Sequence, residues 1–340
     1  MIYRSKAPLR IGLAGGGTDV SPYSDQFGGA ILNATISLSA YASIVPLSEN
    51  KIIVEALDRD EMQEFDKQPL LPVDGTLDLL KAVYNRVQKD HSFSIPGFKL
   101  STFVDAPAGS GLGTSSTLVV AVLGAFKEML NLPLDEYKIA RYAYDIERND
   151  LMLAGGKQDQ YAATFGGVNY MEFNTDNNVI VNQLRIKPEY LHELENNLVL
   201  YFTSTSRESA SIINEQVKNV NSKNETSIEA MHQLKEQAKL MKDAFLQGNL
   251  HEIGLLLDFG FEQKRKMAAN ISNHKIDEVY EAAKKAGATG GKISGAGGGG
   301  FMIFYCPGNT RYKVIKTLNT FGGAVRDYSF TKYGLTTWSI

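Results

Sequence analysis

The 340-residue chain is 43% hydrophobic and 21% charged, with a formal net charge of −3 and a single cysteine, Cys306. This is the profile of a globular protein long enough for two domains; without a basic run it argues against nucleic acid or a membrane surface as partner, and one cysteine excludes an internal disulfide or a cysteine-held zinc. The start, MIYRSKAPLRIGLAGGG, has its apolar part broken by charges and glycines and does not read as a signal peptide; no window reaches the ~18 apolar residues of a membrane span, so the expectation is a cytoplasmic enzyme or binding protein.

In chain order, APLRIGLAGGGTD sets Arg10 and Asp19 around a glycine run, and ISLSAYASIVPL and KIIVEAL read as strands. TLDLLKAVYNRVQKD reads as a helix with Leu77, Leu80, Val83, Tyr84 and Val87 on one face. The strand GFKLSTFVD leads through DAPAGSGLGTSST into the apolar helix STLVVAVLGAFKEMLN. The amphipathic helix LDEYKIARYAYDIERND and the strand GGVNYMEF come next. The texture turns polar at KPEYLHELENN, which suggests a boundary between domains 1–187 and 188–340. Beyond the strand LVLYFTST the chain is rich in helical patterns, then ends with a glycine loop, the strand FMIFYC, a helix and the strand AVRDYSF. Strands do not alternate strictly with helices, so both halves read as α+β.

The 31 glycines are clustered, which suggests backbone approaching a ligand. A glycine loop between strand and helix is a setting for phosphate, because the first-turn N–H groups and the helix dipole favour an anion. Thr114, Ser115 and Ser116 add hydroxyls, but no lysine accompanies them as in a Walker A loop. GGKIS fails as a Walker A ending because Ile293 stands where Ser or Thr is required. GAGGGG formally fits GxGxxG but runs into a strand instead of opening a helix. That second loop could instead pack its backbone against the first loop or against phosphates. Arg10 offers a fork of donors for phosphate, Asp19 could accept from sugar hydroxyls or cap a helix, and Asp159 in GGKQDQ could orient a proton or cap a helix. Glu147 could serve Mg²⁺, or be solvated or paired with Arg148 or Lys157.

The order APLRIGLAGGGTD, PAGSGLGTSST, GGKQDQ, KISGAGGGGF resembles the GHMP kinases over nearly the whole chain. The resemblance implies an N-terminal domain like ribosomal protein S5 domain 2 and a ferredoxin-like C-terminal domain, with the site between them. ATP would sit on Pro107, Gly109, Ser110, Gly111, Leu112, Gly113, Thr114, Ser115 and Ser116, with Mg²⁺ on Ser115 and Glu147. Thr114 replaces the family's first serine. Asp159 and Arg10 would be catalytic, and Gly295, Gly297, Gly298 and Gly299 would close over the site. Gly16, Gly17, Thr18 and Asp19 stand where galactokinases carry a different motif, which argues against galactose. The variant implies ATP-dependent phosphorylation of the anomeric hydroxyl of D-glycero-D-manno-heptose 7-phosphate. Another sugar 1-kinase, or a nucleotide-binding regulator, is the alternative. A sugar phosphate demands a second anion site, for which Lys157, Arg207, Arg326, Lys6 and Lys332 are candidates. A homodimer stays open.

Overall fold

In the computed structural model, which describes residues 1–91, 95–205 and 209–340, APLRIGLA lies within a strand, β1 (Tyr3–Ala14). Leu9, Ile11 and Leu13 are fully buried on one face. Because side chains alternate along a strand, Arg10 is turned to the other face. The first unit continues through α1 (Tyr23–Phe27), β2 (Gly29–Pro46), β3 (Lys51–Ala56), β4 (Glu61–Asp66), α2 (Asp78–Asp90), β5 (Phe98–Val104), α3 (Thr114–Leu130) and α4 (Glu136–Asp145). A π-helical turn (Ile146–Asp150), α5 (Gln158–Phe165), β6 (Val168–Phe173) and β7 (Val179–Gln183) complete it. The second unit holds α6 (Pro188–Asn197), β8 (Leu198–Phe202), α7 (Ser209–Asn221), α8 (Glu225–Gln247), α9 (Leu250–Arg265), α10 (His274–Ala286), β9 (Gly290–Ile293), β10 (Phe301–Tyr305), α11 (Arg311–Leu318) and β11 (Ala324–Arg326). The last strand, β12 (Thr336–Ser339), returns to the first unit and pairs with β1.

The first sheet runs β12-β1-β2-β5-β3-β4. Its long strand β2 pairs with β6 through residues 29–34 and with β5 through residues 40–46. The β3–β5 pair is parallel and the others antiparallel. The second sheet runs β11-β8-β10-β9, antiparallel throughout. Helices between β8 and β9 and between β10 and β11 make it a β-α-β-β-α-β ferredoxin-like unit.

Helices α2 and α3 cover one face of the first sheet, where Val83, Phe98, Val120 and Phe126 share a core. The predicted face of α2 is buried throughout. A second core joins the units, with Leu9, Ile11 and Leu32 of the first packed among Leu200, Phe245, Leu257 and Phe301 of the second. The site sits beside that shared core. Strand β4 and α6 are elements that the hydrophobic pattern hides. β4 is an edge strand with no buried residue, Met62 being exposed, and α6 buries only Leu194 and Asn197. Neither carries an apolar stripe to read.

Candidate active site

A cavity of about 270 Å³ lies where the two units meet. It is walled by the 109–116 loop, the turn after β1, the 153–159 segment, the first residues of α7, and Lys264 and Lys292. Helix α3 supplies the first wall. Its N-cap is Gly113, held at φ +78°, and no side chain caps the helix. Thr114, Ser115 and Ser116 line the cavity with the free N–H groups of that first turn. A helix end left uncapped beside a cavity is a ready anion site. Gly109 and Gly111 also line it, whereas Pro107, Ser110 and Leu112 shape the loop from behind. The Pro107 carbonyl accepts from Ser110 N–H (3.2 Å) and the Leu112 carbonyl from Arg10 N–H (3.1 Å).

Arg10 reaches across from β1 and ties the loop to α5. Its Nε donates to Asp159 Oδ1 at 2.7 Å, with a second guanidinium nitrogen at 2.7 Å from the same oxygen. Its Nη1 donates to the Gly111 carbonyl at 2.6 Å. Asp159 is thereby pressed against the 109–116 loop: a Cβ at Gly113 would lie 3.2 Å from its Cγ. Arg10 is 3% exposed, so this pair is little screened by solvent.

The second glycine loop packs backbone on backbone against the first. A Cβ at Gly111 would lie 2.5 Å from the Ser294 carbonyl oxygen, and one at Gly295 would lie 2.6 Å from Gly111 Cα. Ser294 Oγ donates to the Gly111 carbonyl (2.8 Å), and Phe301 N–H to the Ser110 carbonyl (2.8 Å). Gly295 lines the cavity. Gly297 and Gly299 instead abut Ile271 and Thr205, and Gly298 N–H donates to the Ile271 carbonyl.

Asp19 is buried and caps α5 across 138 residues of sequence, its Oδ2 accepting from Lys157 N–H (2.8 Å) and Gln158 N–H (3.0 Å). Burial raises its carboxyl pKa, and the backbone donors oppose that rise. Gly155 and Gly156 thread between side chains, since a Cβ on Gly156 would strike Asp19 and one on Gly155 would strike Arg148. Gly16 and Gly17 line the cavity. Thr18 does not: its hydroxyl is spent on the Gly15 and Ala30 carbonyls (2.8 and 2.9 Å). The π-helical turn aims Glu147 inward, where Ser116 Oγ (3.0 Å) and Gln160 Nε2 donate to it. Burial raises the Glu147 carboxyl pKa despite Arg148 at 3.7 Å. Ser115 lies exposed at the cavity, so Ser116 is the serine hydrogen-bonded to Glu147.

The expected cations of a second anion site that lie among the described residues are placed elsewhere. Lys157 points to Asp25 (3.5 Å), Lys6 lies over the Tyr41 ring and Lys332 over Tyr333, and Arg326 sits exposed on β11. Arg207 lies outside the described residues. Among the described residues the cations that do line the cavity, besides Arg10 and Arg148, are Lys264 of α9 and Lys292 of β9. Lys292 belongs to the GGKIS stretch, whose mismatch with a Walker A ending leaves its lysine without a motif. The available signal was a lone lysine inside a strand otherwise of glycine and isoleucine. A second cavity of about 260 Å³, half of its lining leucine and with Asp58, Arg59 and Asp78 at its wall, adjoins the first and shares Leu153 with it.

The sequence pattern of the GHMP kinases N terminal domain matches residues 78–167, and that of the GHMP kinases C terminal domain matches residues 241–324. The chain is 46% identical to the D-glycero-alpha-D-manno-heptose 7-phosphate kinase of Campylobacter jejuni, over 99% of each chain. A crystal structure described as a D-glycero-D-manno-heptose 1-phosphate kinase from Bacteroides thetaiotaomicron superposes with a TM-score of 0.86 at 45% identity, covering 99% of both chains. A region of the L-fucokinase/L-fucose-1-P guanylyltransferase of Bacteroides fragilis is 28% identical, the match covering 87% of this chain and 34% of that protein. The uncapped helix α3, the Arg10–Asp159 pair and the interlocked glycine loops thus belong to a member of the GHMP kinase family.

Proposed function

We propose that the protein transfers the γ-phosphoryl group of ATP to the anomeric hydroxyl of D-glycero-D-manno-heptose 7-phosphate, giving the 1,7-bisphosphate and ADP in the cytoplasm. The observation that carries this reading is the contact of Asp159 with Gly113. One carboxylate, held by Arg10, stands beside the helix end suited to the transferring phosphate. Phosphoryl transfer is mostly positioning and charge stabilisation. Asp159 orients the sugar hydroxyl and takes its proton as the new O–P bond forms and the bond to the leaving ADP oxygen breaks. Arg10 holds the Asp159 carboxylate in place through its guanidinium and faces the developing charge. The N–H groups of Thr114–Ser116 hold nucleotide phosphates, and the adjoining cavity, half of its lining leucine, suits a nucleobase.

A buried carboxylate beside hydroxyls is a hard-oxygen donor set, which suits Mg²⁺. Among the described residues no cluster of three or more His, Cys, Asp or Glu exists to cage a metal. This fits an ion that takes most of its ligands from phosphate and water. Ser115 and Glu147 would hold it, and the ion would neutralise phosphate charge. The relatives' names differ on which phosphate the sugar carries beforehand, so the product must be read directly. ADP release should be fastest with heptose 7-phosphate across a panel of sugars, and phosphorus NMR should show a new anomeric phosphate. Faster turnover of fucose, or phosphorylation at O7, overturns the assignment.

A further inference from the structure

Four lysines of the described chain are buried, and they fall into two kinds. Lys81 meets Asp74 (2.5 Å) and Asp78 (3.1 Å), and Lys157 meets Asp25 (3.5 Å). Lys264 and Lys292, each 3% exposed, have no carboxylate within 4 Å among the described residues. Among the described residues their ammonium groups meet only carbonyls, Gly295 O for Lys264 and Leu13 O (3.5 Å) for Lys292. Arg10 adds a third cation to their surroundings, and the acidic groups facing Lys264 are the already engaged Asp19 and Asp159. A buried charge without a partner is strongly unfavourable. Burial accordingly lowers the Lys264 pKa to about 8, and burial together with the neighbouring Lys264 and Arg10 cations holds that of Lys292 well below the usual lysine range. Such a pair lining a cavity is a site waiting for an anion.

The way to it is open. A Cβ at Gly16 would lie 3.8 Å from Lys264 Nζ and 4.0 Å from Lys292 Nζ, so the glycine leaves both ammonium groups unscreened from the cavity. Ser209 and Ala210, in the first turn of α7, line the same cavity and bring the positive end of a helix dipole. The donors suited to nucleotide phosphates stand on α3 of the first unit, whereas this pair stands on α9 and β9 of the second, around the turn that carries Gly16.

We propose that Lys264 and Lys292 form the subsite for the phosphate monoester that the sugar substrate already carries; this rests on the sugar-phosphate kinase function proposed above. The dianion supplies the counter-charge the pair lacks, and selects a phosphorylated sugar over the same sugar without phosphate. A bare sugar leaves both ammonium groups uncompensated.

The test compares wild type with Lys264→Met and Lys292→Met, which keep the apolar stems, and with Lys264→Arg, which keeps the charge. With heptose 7-phosphate and heptose as alternative substrates, each Met variant should lower the preference for the phosphorylated sugar about tenfold or more, as loss of a charged hydrogen bond implies. The KM for ATP should stay unchanged, and Lys264→Arg should recover part of the preference. Equal losses on both sugars, or a raised KM for ATP, overturn the proposal. Thermal melting with inorganic phosphate, in the presence of a saturating non-hydrolysable ATP analogue that occupies the α3 helix end, is independent of turnover. Phosphate should stabilise wild type and fail to stabilise the Lys264→Met/Lys292→Met double variant. This separates failure of the subsite, where both respond alike, from failure of the kinase reading, where the shift persists but no sugar phosphate turns over.

Discussion

The two glycine loops look alike in sequence and do opposite things. The 109–116 loop ends in a helix, so its glycines lead to free N–H groups that line a cavity. The 295–300 loop ends in a strand, and most of its backbone is pressed against protein: Gly111, Ile271, Thr205 and Ser110. Glycine density marks where backbone comes close. Both loops also meet protein, Gly111 at Ser294 and Gly113 at Asp159, but only the loop that opens a helix leaves free N–H groups facing the cavity.

That contrast can be broken by mutation. The largest effect is expected at Asp159, which touches the first loop: Asp159→Asn should fold, bind ATP and lose about 10²–10⁴ in kcat. Retained turnover in a rapid-quench assay would remove its role. Next come alanines in the two loops. Gly300→Ala, whose Cβ would lie 2.4 Å from the Ser110 carbonyl oxygen at φ +87°, should cost about 1–3 kcal/mol of stability, read by denaturant unfolding. Gly113→Ala, whose Cβ meets the Asp159 side chain, should cost less stability and more kcat. If Gly113→Ala is the less stable of the two and keeps its turnover, the division of labour between loops is wrong. Glu147→Gln should then raise the Mg²⁺ concentration needed for half-maximal rate, and Ser116→Ala should do so more weakly through the lost hydrogen bond, worth about 1 kcal/mol.

The smallest effect is a pH dependence at Lys264, which faces Arg10, Asp19, Asp159 and Lys292. With its pKa lowered to about 8, it is charged below that pH and neutral above. kcat/KM for the phosphorylated sugar should therefore fall as pH rises through 8, and Lys264→Arg should flatten that limb. Stability runs the other way. An unfolded lysine keeps its proton to about 10.4, so between 8 and 10 the unfolded state binds more protons and the free protein gains stability with rising pH. Lys264→Met should lose this contribution in melting curves recorded across the range.

Elements with a strong apolar period were readable: the stripe of α2 and the run of β10 are buried as expected. Elements stabilised mainly by neighbours were not. β12, the four residues TTWS, is held by its backbone pairing with β1 and by Thr337 Oγ1 donating to Glu128 of α3 (2.7 Å), and it carries no period of its own. In the site, Arg10, Asp159 and Glu147 stood out because they sit in or near glycine-rich motifs. Lys264 did not, because on a helical pattern ending QKRK it looks like any solvated cation.

The family, the order of motifs, the helix that opens after one glycine loop and the strand that opens after the other were all written in the residues themselves. These depend on positions a few steps apart, where spacing and propensity act. Which cations are buried without a partner was settled only by long-range packing. Gly16 is far along the chain from Lys264 and Lys292, and the three meet because the two units share one core. Whether a lysine is solvated, paired or left wanting an anion depends on what surrounds its ammonium group, and that is set by how the units pack.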